Sequence, residues 1–202
     1  MTTVIVSYDG TDNDRDALAL GRVLAGAGAS LELAYVSHRR EPEPDSPTDV
    51  PFHVVDNPST ADGLRELVLS RGAEMIVFGS EYRTAPGHVD PQATAKRLLE
   101  GGPVALALAP SGYADASHAA IGTIRVVSED GDPTTRETAD ALARKLGAEV
   151  VDSPGHSPDL VVVGSKPGTV NGRVTVSAAA EYLIELAGCP VVVLPRGVVV
   201  RF

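Results

Sequence analysis

The 202-residue sequence predicts an α/β protein made of two open parallel-sheet lobes in tandem, the second lobe shortened. Three observations lead there. Apolar runs recur along the chain at Val4 to Val6, Leu31 to Val36, Met75 to Phe78, Val104 to Leu108, Ile124 to Val127, Leu160 to Val163 and Val191 to Leu194. Continuous apolar strands are buried on both faces, as in parallel sheets. Between them lie helix-period stripes, Leu20, Val23, Leu24 and Ala27, then Ala139, Leu142, Ala143 and Leu146, then Ala180, Leu183, Ile184 and Ala187; each can cover a sheet. Finally, Gly79 to Gly112 recurs at Gly164 to Gly197 without a gap, in a register of 164 minus 79, or 85.

The elements follow in order. Strand Val4 to Val6 runs through Tyr8-Asp9-Gly10-Thr11 into the first helix, and Leu31 to Val36 returns. His38 to Pro51 carries Pro42, Pro44, Pro47 and Pro51 among charges. A helix interior rejects prolines, so a mobile crossover is expected, cut first by trypsin at Arg39 or Arg40. Phe52 to Val55 reads as a strand and Ser59 to Ser70 as a helix with Leu64, Leu67 and Val68 inward. Each repeated glycine stretch follows a strand and precedes a helix, where open α/β sheets bind ligands. Residues 113–120 are small and polar and read as a linker between domains 1–112 and 121–202. In the second domain Asp132 and Pro133 start a helix, and Gly147 and Gly188 stand where a left-handed residue closes one. V-S-Y-D-G (Val6 to Gly10) resembles V-S-E-D-G (Val127 to Gly131), in a register of 130 minus 9, or 121. The fall from 121 to 85 removes 36 residues from the second copy, which has no counterpart of strand Phe52 to Val55 or helix Ser59 to Ser70. That copy is expected to lack a strand and two helices.

Composition narrows the function. A net charge of −10 opposes a phosphate backbone, so nucleic acid is not an expected partner. No apolar run is long enough to span a membrane, and no basic leader precedes the first strand, so a cytoplasmic location without membrane contact is expected. A single cysteine, Cys189, excludes an internal disulfide and a cysteine-rich metal site, and reads as a structural thiol. His38, His53, His88, His118 and His156 are scattered, mostly in expected loops, and read as solvated, with no metal site expected.

The whole chain resembles a tandem universal stress protein. The resemblance rests on Y-D-G-T with Ala17-Leu18, on V-F-G-S and V-V-G-S opening the two loops, and on the endings G-G-P-V-A-L-A-L-A-P and A-G-C-P-V-V-V-L-P-R-G. It implies Rossmann-like lobes akin to the adenine nucleotide alpha hydrolases, with first-lobe strand order 3-2-1-4-5. It also implies that Val104 to Leu108 and Val191 to Leu194 pair, an intrachain version of the family's dimer contact; a homodimer is a further possibility.

ATP-binding members of that family share G-x2-G-x9-G followed by Ser or Thr. Here Gly79 and Gly164 keep the first glycine, but Tyr82 and Pro167, Gln92 and Ser177, and Ala93 and Ala178 replace the rest. Each lost bond to a charged oxygen is worth about 1.5–3 kcal/mol. A combined loss of roughly 4–6 kcal/mol turns micromolar binding into millimolar. No cofactor is therefore expected, and ATP is disfavoured. The residues left for a small anion are Ser80, Arg83, Thr84, Gly87 and Thr94 in the first loop, with Ser165, Lys166, Thr169, Gly172, Arg173 and Ser177 in the second. Hydroxyls at a helix start also cap backbone. Asp9 and Asp130 match the family's base-contacting position, and Asp12, Asp14 and Asp16 read as a solvated helix cap.

Enzyme signatures fail. Ser7 stands where a phosphotransfer aspartate belongs, and Val163 where a nucleophile elbow needs glycine. Neither loop is a P-loop. No catalytic residue is expected, and the sequence points to a non-catalytic stress-response or regulatory protein that binds an unidentified protein partner. The alternative is a nucleotide-binding universal stress protein with slow or no hydrolysis.

Overall fold

The computed structural model describes residues 2–38, 43–47, 49–116, 120–152 and 157–202. The elements are β1 (Thr3–Ser7), α1 (Asp12–Gly26), β2 (Ser30–Ser37), β3 (Phe52–Asp56), α2 (Thr60–Arg71), β4 (Met75–Phe78), α3 (Ala93–Leu99) and β5 (Ala105–Leu108). They continue as β6 (Thr123–Val127), α4 (Pro133–Leu146), β7 (Glu149–Val151), β8 (Leu160–Gly164), α5 (Ala178–Glu185) and β9 (Val191–Leu194). All the strands join one sheet in the order β3-β2-β1-β4-β5-β9-β8-β6-β7. Neighbours are parallel except at the centre, where β5 and β9 run antiparallel with Ala107 opposite Val192. The expected 3-2-1-4-5 order and the expected pairing of Val104 to Leu108 with Val191 to Leu194 are both present.

Two apolar cores lie on the two faces of this sheet, and each crosses from one half of the chain to the other. On one face α2, α3 and α5 bring Leu64, Leu98 and Ile184 over Ile5, Ile76, Leu106, Val161 and Val193. On the other, α1 and α4 bring Leu20, Leu24 and Leu142 over Val4, Val77, Val162 and Val192. Each such buried side chain contributes about 1.5–3 kcal/mol, so the seam between β5 and β9 is held from both sides.

The helix ends follow their local chemistry. Asp132 accepts from the Thr134 amide at the start of α4, with Pro133 in the first turn, and Gly147 closes the helix at φ 69°. Gly188 does not close α5: that helix ends at Leu186 in right-handed geometry, and Gly188 keeps a negative φ. Of the carboxylates at the start of α1, Asp12 is exposed as expected, but Asp14 and Asp16 are not solvated. Asp14 and Asp16 are buried because their oxygens bind backbone amides.

The second half departs from the sequence reading in three respects. It contains β7, too short to register as an apolar run, and among the described residues it lacks counterparts of β3 and α2, one strand and one helix rather than a strand and two helices. Its first strand is also one residue out of the motif register. Val126 pairs with Val162 as Val6 pairs with Val77, and because 162 lies 85 beyond 77 the strand offset is 126 minus 6, or 120. The inward-facing residues of α4, Ala139 and Leu142, match Ala17 and Leu20 of α1 at an offset of 122. The motif register of 121 holds at the two left-handed glycines, Gly10 and Gly131.

The described parts of the crossover, His38, residues 43–47 and residues 49–51, contain no helix, and residues 43–47 pack on the β1 loop: Tyr8 Oη donates to the Asp45 carbonyl at 3.0 Å, and Pro44 lies against Gly10. Further along it, Arg22 pairs with Asp49 at 2.9 Å. The trypsin sites Arg39 and Arg40 lie outside the described residues, as do His118 and His156. The start of the expected linker is tied down, since Asp16 accepts from the Gly112 and Ala114 amides at 2.9 and 2.7 Å.

Candidate functional site

The candidate residues gather at the carboxyl ends of β1 and β4 in the first half and of β6 and β8 in the second. In the first loop Ser80 is buried and its hydroxyl is engaged with the backbone. It donates toward the Ala109 carbonyl at 2.7 Å and the His88 carbonyl at 3.3 Å, and accepts from the Asp90 amide at 3.2 Å. Ser165 repeats this in register, donating to Leu194 at 2.7 Å and Arg173 at 3.2 Å and accepting from Thr175 at 3.1 Å. The backbone agrees. Glu81 and Lys166 amides donate to Asp90 and Thr175, Gly87 and Gly172 to Ser111 and Arg196, each at 2.8 Å. Gly87 and Gly172 hold φ of 81° and 75°, a left-handed turn that a side chain would strain.

The first glycine of each loop has a packing reason. A side chain at Gly79 would collide with the Asn13 carbonyl at the start of α1, and one at Gly164 with the Thr135 hydroxyl of α4. These glycines let helix and strand approach closely. Ser177 caps α5, accepting from Ala180 at 3.1 Å, and donates to Glu129. Arg83 lies over the exposed Tyr82 ring at 4.9 Å, and Thr94 is half-buried in the first turn of α3.

Carboxylates occupy backbone amides in the turns beside both loops. Asp14 accepts from the Asp9 and Thr11 amides at 2.7 and 2.8 Å. Burial raises its pKa while those donors oppose the rise. The Asp9 carboxyl is also raised, first by lost hydration and then by the Asp14 charge. In the second half Asp132 accepts from Thr134 and from the Gly197 amide. Burial pushes its pKa up, but these bonds outweigh that and hold it below the usual range. Asp130 pairs with Arg196 at 2.5 Å, and that hydrogen bond lowers its pKa. Sequence reasoning missed Asp132, Arg196 and Glu129 as site residues and misread Asp14 and Asp16. The partners of Asp16, Glu129 and Arg196, and the Gly197 amide that Asp132 binds, lie on other loops, whereas Asp14 is held within its own turn, where it forms a capping box with Thr11.

Other candidates separate from this arrangement. Cys189 is half-buried, and burial pushes its thiol up to about 11, out of the range of a nucleophile. His53 sits on β3, the strand expected there, but is not merely solvated: its Nε2 lies 2.8 Å from Glu32, which also binds Arg71 through both oxygens. Among the described residues no cluster of three His, Cys, Asp or Glu is placed to hold a metal, and no helix is long and apolar enough to cross a membrane.

These features define an open, mostly parallel α/β sheet with a glycine loop at the strand ends in each half. No protein-family model matches the chain, nor does any curated protein. Solved structures do. A universal stress protein from Archaeoglobus fulgidus DSM 4304 superposes with a TM-score of 0.68 at 13% identity, covering 96% of this chain and 98% of that one. A protein of unknown function from Pseudomonas aeruginosa PAO1 gives 0.64 at 14% identity, over 97% and 93% of the two chains. A candidate universal stress protein from Pseudomonas aeruginosa UCBPP-PA14 gives 0.63 at 15%, over 96% and 92%. The chain therefore has the fold of universal stress protein structures.

Proposed function

We propose that this chain is a tandem universal stress protein-like module, cytoplasmic and non-catalytic, that acts in a stress or regulatory response by binding a protein partner and has given up the family's nucleotide mode. The observation that supports this best is that the serine hydroxyls of both loops, and carboxylates beside them, are already engaged with the protein's own groups. Ser80, Ser165 and Ser177 are bound to backbone or to Glu129, while Asp14 covers amides in the turn after β1 and Asp132 covers the Gly197 amide after β9. A triphosphate would have to displace carboxylates from charge-assisted bonds worth about 1.5–3 kcal/mol each. It would also meet the negative charge of Asp9 and Asp14. The tandem reading rests on the two serine networks, identical atom for atom at a spacing of 85.

Isothermal calorimetry and thermal melting with Mg-ATP test the proposal. Millimolar Mg-ATP should move the melting temperature by less than about 2 °C, and micromolar binding would falsify it. One observation favours the second reading, nucleotide binding: Thr84 Oγ1 in the first loop, and Thr169 Oγ1 and Arg196 Nη1 at the second, are buried without a hydrogen-bond partner among the described residues. ATP binding that disappears in Arg196→Ala would establish that alternative.

A further inference from the structure

Most basic side chains among the described residues have a partner, as Arg15 has Asp115 and Arg71 has Glu32. The exceptions are Arg144, Lys145, Lys166 and Arg201. All but Lys166 line one open groove of about 430 Å³, formed among the described residues by α4 and residues 199–202. The segment that makes one wall is fixed. Val200 is buried with its amide bonded to Thr138 Oγ1 at 3.1 Å, and Phe202 packs against the core under α1 and α4. Two carboxylates share the lining, but Asp140 is held by Arg136 at 3.1 Å, which leaves Glu137 facing the three cations. Cations in the last turn of a helix complement its dipole. That accounts for Arg144 and Lys145 but not for Arg201, which comes from another segment.

The first half shows what such a cation takes. At the offset of 122 that matches Ala139 to Ala17, Arg144 corresponds to Arg22, since 144 minus 122 is 22. Arg22 holds Asp49 of the crossover at 2.9 Å, and the crossover is an acidic, proline-rich segment with Glu41, Glu43, Asp45 and Asp49. In the second half residues 152–159 alone join β7 to β8. Both carboxylates of that connection are committed elsewhere, Asp152 to Arg136 and Asp159 to the Gly122 and Thr123 amides. Arg144 therefore keeps the cation of Arg22 without its carboxylate.

We infer that this groove docks an acidic, extended segment of a partner protein, whose carboxylates meet Arg144, Lys145 and Arg201 while Val199 and Phe202 receive an apolar neighbour. The inference rests on the reading of this chain as a protein-binding module. Clustered arginines read acidic motifs, and a guanidinium can take a carboxylate through two parallel bonds. The net charge of −10 does not forbid the contact, because charges beyond about 8 Å are largely screened at physiological ionic strength. It does oppose a long polyanion such as nucleic acid.

The probe is a fluorescein-labelled peptide with the sequence of residues 41–51. In fluorescence anisotropy at about 50 mM salt the intact chain should bind it saturably below about 1 mM, at least about 10-fold tighter than the same peptide with amides in place of its carboxylates. Arg144→Gln and Arg201→Gln together should weaken binding at least about 10-fold. Both side chains are exposed, so the melting temperature should stay within about 2 °C. Arg201→Gln alone, outside any helix or strand, should show part of the same loss, and Lys166→Gln should show none. Absent binding, equal binding of the amide peptide, or a complex that survives the double variant overturns the inference. So does preference for an oligothymidylate of equal charge. The Mg-ATP titration reports on the broader proposal separately: no peptide complex beside an unchanged ATP result removes the groove and leaves that proposal standing.

Discussion

The hydroxyls of Ser80 and Ser165 each tie a glycine loop to the strand after it, Ser80 to Ala109 beyond β5 and Ser165 to Leu194 at the end of β9. Ser80→Ala and Ser165→Ala should each cost about 1–3 kcal/mol in urea unfolding, because buried backbone groups lose a partner. A neutral result at either position contradicts the structural role of that serine. Glu32 gives a pH dependence. Its pKa lies below the ordinary 4.5, chiefly through the hydrogen bond from Arg71, with His53 adding to it. A depressed carboxylate adds stability above its unfolded pKa and loses it as pH falls through the folded one. Wild type should therefore lose stability below about pH 4.5 faster than Glu32→Gln, which starts about 1 kcal/mol lower at neutral pH; parallel melting curves for the two proteins across that range would exclude the linkage. The candidate serines were visible in the sequence because the repeat marks them. Their roles were not: Ser80 acts on a carbonyl 29 residues away, and Asp16 on an amide 96 residues away. Such pairings depend on where the sheet puts its strand ends, which no local pattern encodes.

At the scale of elements, the sequence was most informative where the determinants are local. Asp132, Pro133 and Gly147 bracket α4 as capping chemistry requires, and long apolar runs such as Leu31 to Val36 became central strands. β7 escaped because Glu149-Val150-Val151 is three residues at the sheet edge, half-exposed, with no run to detect. Gly188 misled because a glycine just after a helix often closes it; α5 ends two residues earlier instead. The two glycines make a controlled comparison. Gly147→Ala should cost about 1–2 kcal/mol, the penalty for a side chain at left-handed φ, with no neighbour near enough to add a clash. Gly188→Ala should stay within about 0.5 kcal/mol. Differential scanning calorimetry distinguishes them, and equal losses would refute the assignment of the two helix ends.

For the whole molecule, the decisive fact is that both cores cross the β5–β9 seam, so neither half can bury its apolar surface alone. Residues 119–202 expressed by themselves should be insoluble or self-associated, since β9 loses its neighbour and leaves an apolar edge. The intact chain should unfold in one cooperative transition by both calorimetry and circular dichroism. Two separated transitions, or a soluble monomeric fragment, would show that the halves fold independently. The antiparallel seam also reverses direction. The strands of the first half point their carboxyl ends one way and those of the second half the other, and a strand of four or five residues spans roughly 13–17 Å. The two glycine loops are therefore opposite poles of one slab, facing away from each other. A mononucleotide-sized ligand at one pole leaves the other open, and a partner that recognises one pole leaves its near-copy displayed at the far end.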